Sequence, residues 1–376
     1  MTTSALEVPD GLNGLAVAAT SLGDVRGEEG FFHYRQYDAT VLARTRGFED
    51  VWFLFAEGRL PDASEAAAFR GAIAAERVVP DQLRPLIAAA AAAPAAPLAR
   101  LKTVLAASAP ALGLSPLVDL DPASRATQAL RISALAPAVL AALHRATRGL
   151  PSIEPDPTLG HVASYLYETT GERPSAAAVR ALEQYLTLTI DHGFNASTFT
   201  ARVVASTGAD LSDVIVAAIG ALAGPLHGGA PSRALDALDA IGTADRAGAY
   251  VRSEIAAGRR IMGFGHPVYR APDPRSTLLR EVALGLGGEL VDRAVEVETV
   301  ILETLAELKP DRALPSNVEY YAGVVMATLG LPREMFTPTF AVSRIVGWCA
   351  HAVEQAAVGK IIRPASLYVG PTVERG

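Results

Sequence analysis

Three histidines stand among glycines or polar residues at segment ends, where a side chain can face a cleft. His192 lies in the run Asp191 to Phe199, His227 in Gly224 to Pro231, and His266 in Gly263 to Arg270. Such connecting segments are where binding and catalytic groups concentrate. The other four, His33, His144, His161 and His351, sit in helix-like stretches and read as surface or hydrogen-bonded core histidines. Around His227, Gly228 and Gly229 allow a ligand close to the backbone, and Pro231 suits the first turn of a following helix. A histidine just ahead of a helix N-terminus feels positive potential and tends to stay neutral. A neutral imidazole can donate a hydrogen bond to a carbonyl oxygen that becomes an enol oxygen. A glycine-rich turn with an incidental histidine accounts for the same short motif equally well.

The arginines extend the pattern. His266 is followed by Arg270 and by Asp273-Pro274-Arg275. Guanidinium forks at that spacing suit a carboxylate or phosphate, with solvated surface arginines as the alternative. Arg344 stands inside the apolar stretch Phe340 to Trp348, where an unpaired charge would be costly. It needs an anion, and on residue types alone an internal carboxylate is somewhat better supported than a ligand. The run Asn317 to Tyr321 supplies a candidate carboxylate in Glu319, and Arg363-Pro364 a further cation. No Walker-type phosphate loop, completed dinucleotide fingerprint, His-Glu-x-x-His or cysteine pair, or Gly-x-Ser-x-Gly elbow occurs. The inventory is histidines, arginines and a carboxylate, which suits acid–base chemistry on an anionic substrate without metal or redox cofactor.

These groups need a scaffold, and composition bounds it. The 376 residues are 50% apolar and 19% charged, which describes a globular chain of one large or two moderate domains. A net charge of −7 argues against a general nucleic-acid binder. The lone Cys349 permits no internal disulfide and suits a reducing cytoplasm. Met1 to Asp10 lacks the basic-then-apolar pattern of a secretory signal. Val214 to Ser232 carries no formal charge, but its apolar part, Val214 to Ala223, falls short of the roughly 20 residues a membrane span needs. It reads as a buried core helix, so no membrane association is expected.

The chain is alanine-rich and helical nearly throughout. An early exception is a hairpin expected from Leu15 to Thr20 and Phe31 to Arg35, around the turn Gly27 to Gly30. Phe48 to Glu57 is apolar at helical spacing and stops at Gly58, and Asp62 with Glu65 forms a capping box for the next helix. Pro80, Pro94, Pro97 and Pro110 punctuate short helices. Ser124 to Thr147 reads as a longer helix with a kink at Pro137 and an end at Gly149; Ser175 to Thr189, Ala196 to Ser206 and Leu211 to Ala223 follow. No period of 20–50 residues recurs. The expected class is all-α with a minor N-terminal β hairpin.

Taken together and in order, these segments resemble the citrate synthase family. The resemblance runs through Gly11 to Leu15, Tyr34 to Asp38, Asp191 to Arg202, Gly224 to Ala230, Ile261 to Arg275, Pro315 to Gly323, Phe340 to Gln355 and Arg363 to Gly370. Gly263 to Arg275 is the family's signature segment.

The resemblance implies a two-domain homodimer of the short type. A large domain would comprise residues 1–227 and 330–376, and a small one, 228–329, would close over the substrates. It implies condensation of acetyl-CoA with oxaloacetate and hydrolysis of the thioester, a step of the tricarboxylic acid cycle, with no cofactor beyond the coenzyme A thioester substrate. His227 would polarise the thioester carbonyl. His266 would hydrogen-bond and protonate the ketone, and Glu319 would act as base. His192, Arg275 and Arg344 would hold oxaloacetate, with Arg363 reaching in from the partner subunit. Arg270, Gly263, Phe264 and Gly265 would face coenzyme A.

Two departures stand out. The family's base is usually an aspartate, and Glu319 is one methylene longer. Ala230-Pro231-Ser232 replaces a frequent Asn-Glu, with no functional account. Hexameric relatives inhibited by NADH carry an extra N-terminal domain; here the match begins by Gly11, so a simple dimer is expected. Two alternatives accompany this reading. One is 2-methylcitrate synthesis from propionyl-CoA, since a methylene changes discrimination by only about 1–3 kcal/mol. The other is a weakly catalytic regulatory paralogue that binds coenzyme A or oxaloacetate.

Overall fold

A computed structural model describes residues 8–12, 14–225, 227, 230–266, 269 and 271–371. Near the N-terminus three short antiparallel strands pair in sequence order: β1 (Gly23–Arg26), β2 (Phe31–Tyr34) and β3 (Tyr37–Asp38). Gly23 pairs with Tyr34 and Arg26 with Phe31. The hairpin therefore exists, but its first strand is not Leu15–Thr20. Only the 3-10 turn Gly27–Glu29 separates the strands, so the partner of Phe31–Tyr34 must begin at Gly23. The described side chains from Leu15 to Thr20 stay exposed or half-exposed, which leaves that apolar run without a buried face to pair on.

The rest is helical: α1 (Ala39–Thr45), α2 (Phe48–Glu57), α3 (Ala63–Glu76), α4 (Arg84–Ala92), α5 (Pro97–Ala106), α6 (Ser108–Leu112), α7 (Pro122–Ala146), α8 (His161–Thr170) and α9 (Ala176–Thr189) lead to the site. Then come α10 (Ala196–Ala205), α11 (Leu211–Leu222), α12 (Ala230–Ile241), α13 (Ala244–Ala256), α14 (Pro274–Leu286), α15 (Glu289–Leu308), α16 (Val318–Thr328) and α17 (Phe336–Val358). Their starts follow from capping chemistry. The side chains of Asp38, Asp62, Asp121, Ser175, Asn195, Asp210, Asp273 and Asn317 each accept a backbone N–H from the first turn they precede. Asp62 and Glu65 form the reciprocal capping box. Pro137 lies inside α7, which continues through it as one helix.

The two longest core helices, α7 and α17, pack on each other. Helices α3, α4, α5 and α8 cover α7, while α2, α9, α10, α11 and α12 surround α17. Helix α7 is long and apolar enough to cross a membrane, but 72% of its most apolar stretch is buried among these neighbours, as in a core helix. Helices α13 and α15 pair, as do α14 and α16, and both α14 and α16 lean on α9. A Cβ at Gly347 would collide with the carbonyl oxygen of Ile190. This close approach seats α17 against the end of α9 and brings Arg344 and His351 beside Asp191 and His192.

Candidate active site

The junction between α9 and α10 carries Asp191 and His192. Behind it, fully buried Arg202 donates through Nε to His351 Nδ1 at 3.0 Å. That makes Nδ1 an acceptor, so the ring proton is on Nε2, 3.1 Å from an Asp191 carboxylate oxygen. The other Asp191 oxygen accepts the Gly193 N–H at 3.2 Å. The turn that presents His192 is thus braced from α10 and α17.

His192 Nε2 lies 2.9 Å from the Tyr269 hydroxyl, and its ring centroid is 5.8 Å from that of His266. Burial, followed by the charges of Arg275 and Arg344, holds His192 well below the usual histidine range. His266 is pushed down to about 4 by burial and then by Arg275. The Tyr269 backbone N–H faces His266 Nδ1 at 3.0 Å, and a terminal nitrogen of Arg275, which can only donate, faces Nε2 at 3.1 Å. The guanidinium and the imidazole therefore lie side by side, an arrangement suited to the oxygens of an anionic or carbonyl ligand.

Arg275 is 4% exposed and Arg344 is 2% exposed. Arg275 is paired with Asp273. Arg344 gives Nε to the Thr189 carbonyl at 2.8 Å and stacks 4.6 Å over Phe340. It has no ion-pair partner among the described residues. The internal carboxylate that residue types alone favoured is absent: Asp191 contributes to its field without pairing, and burial lowers its pKa. The unmatched charge is left for a ligand.

His227 is held by the N-terminus of α10, where the Ser197 N–H and Oγ lie 3.3 and 2.9 Å from Nε2. The backbone donor makes Nε2 an acceptor and puts the proton on Nδ1. Burial and the charge of Arg344 lower its pKa, so it is a neutral donor near pH 7. Glu319 sits in the first turn of α16, whose N-cap Asn317 accepts the Glu319 N–H at 3.0 Å. It is half-buried, and desolvation pushes its carboxyl up to about 7, against the pull of Arg275. Arg344 lies in the fields of His192, His227 and Glu319, which places the three in one electrostatic neighbourhood.

The loop Gly263, Phe264 and Gly265 is strapped to the residues ahead of α16. Asn317 N–H donates to the Gly263 carbonyl at 2.8 Å, and the Asn317 side chain to the Gly265 carbonyl at 2.8 Å. Gly263 has φ +85° and a Cβ there would press on Tyr320, so this approach requires glycine. The strap fixes His266 relative to Glu319. It also borders a cleft of about 570 Å³ whose lining includes Arg259, Arg260, Lys309, Arg312, Phe264 and His266.

Arg363 is exposed on the extended C-terminal segment. Its neighbour Ile362 bonds Ser206 Oγ, at the opposite end of α10 from Ser197. Within one chain it does not join the site. Arg270, Gly228 and Gly229 lie outside the described residues. Reading the sequence missed Ser197, the carboxylate role of Asp273, and the four cations of the cleft. Ser197 and Asp273 stood inside segments already singled out; the cations come from separate segments and carry no motif.

A sequence model described as citrate synthase, C-terminal domain, matches residues 11–365. The chain is 37% identical to a putative citrate synthase 2 of Mycobacterium tuberculosis, covering 96% of this chain and 92% of that one. It is 36% identical to a citrate synthase of Haloferax volcanii, covering 97% and 96%. Among solved structures, citrate synthase from Thermotoga maritima superposes with a TM-score of 0.86 at 33% identity over 98% of each chain. A ternary complex of the Thermoplasma acidophilum citrate synthase with carboxymethyl coenzyme A and oxaloacetate gives 0.90 at 27% identity, again over 98% of each.

Proposed function

The chain belongs to the citrate synthase family, and from that premise we infer which of its residues carry the reaction. The reaction condenses acetyl-CoA with oxaloacetate and hydrolyses the thioester to citrate and CoA, which makes the protein an acyltransferase that converts acyl to alkyl on transfer. The observation that carries the site assignment is the pairing of two buried arginines, Arg275 and Arg344, with the neutral rings of His192 and His266. A dicarboxylate with a ketone between its acid groups matches that set.

In the proposed mechanism Glu319 removes a proton from the acetyl methyl group. His227 Nδ1–H stabilises the oxygen of the resulting enol, which is the role a neutral donor can fill. The carbon attacks the oxaloacetate ketone while the His266 ring supplies a proton to its oxygen. Water then cleaves the thioester. Arg259, Arg260, Lys309 and Arg312 suit the phosphates of coenzyme A in this cleft, and Arg270 is proposed to join them. No cofactor beyond the thioester substrate is needed for these steps.

The relatives carry citrate synthase names, which favours acetyl-CoA over propionyl-CoA and an enzyme over a silent paralogue. We further propose that residues 228–329 close over the large domain, since His266 and Arg275 fall in one part and His192 and Arg344 in the other. Two copies would share each site through the partner's Arg363, in the cytoplasm. The test is release of free thiol from either acyl-CoA with oxaloacetate. A higher kcat/KM for acetyl-CoA supports the reading. Folded protein that binds both substrates without releasing thiol overturns it.

A further inference from the structure

A second cavity, of about 400 Å³, lies away from the histidines, between α2, α3, α7 and the C-terminal half of α17. That volume is within the range of small-molecule sites, about 300–1,000 Å³. Its walls are mainly apolar, Trp52, Phe55, Phe69, Leu130, Val346 and Val353, and its rim also carries Glu57 and Glu354. One side is polar. There Arg35 donates to Ser21 Oγ at 2.7 Å and to the Phe55 carbonyl at 3.1 Å. Arg35 has no carboxylate partner among the described residues, its Nε is buried without a hydrogen bond, and its backbone sits at φ 51°. A guanidinium that is partly desolvated and unmatched, beside an apolar chamber, calls for an anionic head on an apolar body.

The same polar side is wired to the oxaloacetate end. Ser21 donates from its N–H and Oγ to one oxygen of Glu354, at 2.7 and 2.8 Å. The other Glu354 oxygen is paired with Arg202, which is bonded to His351, which is bonded to Asp191 beside His192. Arg35, Ser21, Glu354, Arg202, His351 and Asp191 thus form an unbroken line of hydrogen bonds from the cavity to the turn that presents His192.

We propose that this cavity binds an amphipathic monocarboxylate, its carboxylate on Arg35 and its chain among the aromatic and aliphatic walls, and that occupancy changes oxaloacetate affinity. A carboxylate on Arg35 competes with Ser21 for the guanidinium, which frees Ser21 to shift against Glu354. The coupling must then be reciprocal between the two ligands.

Octanoate is the probe, used below its micelle concentration, with binding followed by calorimetry and by Trp52 fluorescence. Octanol tests the head group. Two variants separate the causes. Arg35→Gln removes the charge, and Ala126→Leu fills the cavity from α7 while leaving Arg35 and the catalytic residues intact. The expected result is saturable octanoate binding that weakens at least about tenfold in Arg35→Gln, where a charge-assisted contact is lost, and in Ala126→Leu. Octanoate should also shift the oxaloacetate KM of the native enzyme and leave that of Ala126→Leu unmoved. No saturable binding to the native protein, native-strength binding by both variants, or octanol binding as well as octanoate overturns the site. Binding to the native enzyme with an unmoved oxaloacetate KM overturns the coupling.

Discussion

Asp273 holds Arg275 through two hydrogen bonds, 3.0 Å to Nε and 2.9 Å to a terminal nitrogen. The same two oxygens accept the backbone N–H groups of Arg275 and Val318, at 3.0 and 3.1 Å. One buried carboxylate therefore fixes the Arg275 guanidinium, starts α14, and ties the first turn of α16, where Glu319 sits, to both. Asp273→Asn keeps the shape but turns one acceptor into a donor facing other donors. Removing one partner of a buried ion pair costs about 3–5 kcal/mol. We expect a loss of that order in denaturant unfolding, and an oxaloacetate KM at least tenfold higher. An unchanged KM in a folded variant would detach Asp273 from substrate binding.

As the proposed base, Glu319 should set the pH dependence. Its carboxyl is pushed up to about 7, and a general base works ionised. Activity in kcat/KM for acetyl-CoA should therefore fall as pH drops through about 7, by about tenfold per unit well below it. The histidines add no limb near neutrality, because His266 lies at about 4 and His192 and His227 are also lowered. Glu319→Gln should abolish condensation at every pH and leave oxaloacetate binding intact. Glu319→Asp shortens the reach by about 1.5 Å, and a misplacement of about 1 Å can cost on the order of a hundredfold. It should be slow if the site is built around glutamate. Near-native turnover of the glutamine variant would remove Glu319 from the chemistry.

Much of this was legible before the fold, and the reasons are local. Asp62 caps α3 by a bond to Glu65 three positions on, so short-range chemistry suffices to read it. The histidine loops were legible because glycine clusters mark close approach. Arg344 was legible as a charge needing an anion, but whether that anion was internal depended on which residues α17 faces. That in turn rests on Gly347 meeting Ile190, a contact between segments more than 150 positions apart. The first strand was misplaced because Leu15–Thr20 is apolar, whereas β1 is set by its register with Tyr34.

Arg363 tests the shared site. It is exposed on a tail bonded at the far end of α10, so a role in catalysis requires a second chain. Arg363→Ala and Glu319→Gln proteins should each be nearly inactive. Mixed, they form hybrids in which one of the two sites has both native residues, and activity should recover to about a quarter of native when subunits exchange at random. Verified heterodimers with no gain over the separate variants would place Arg363 outside the partner's site.

The cation cleft allows coenzyme A binding to be tested separately from oxaloacetate binding. Arg259 already forms two hydrogen bonds with Glu254, at 2.8 and 2.6 Å, so its charge is largely spent. Lys309 and Arg312 are exposed and have no ion pair among the described residues. They are the freer cations for a phosphate. Each contact of that exposed kind is worth up to about 1 kcal/mol, or roughly fivefold in affinity. Lys309→Gln and Arg312→Gln should each raise the acetyl-CoA KM by about that factor, and together by about their product if the two act independently. Arg259→Gln should do less. Neither kcat nor the oxaloacetate KM should move if these cations hold only the coenzyme. The acetyl-CoA KM of the native enzyme should also rise with salt, since the Debye length shrinks to about 8 Å at 0.15 M, and the double variant should show a flatter salt response. A double variant with native acetyl-CoA KM would move the phosphate site elsewhere.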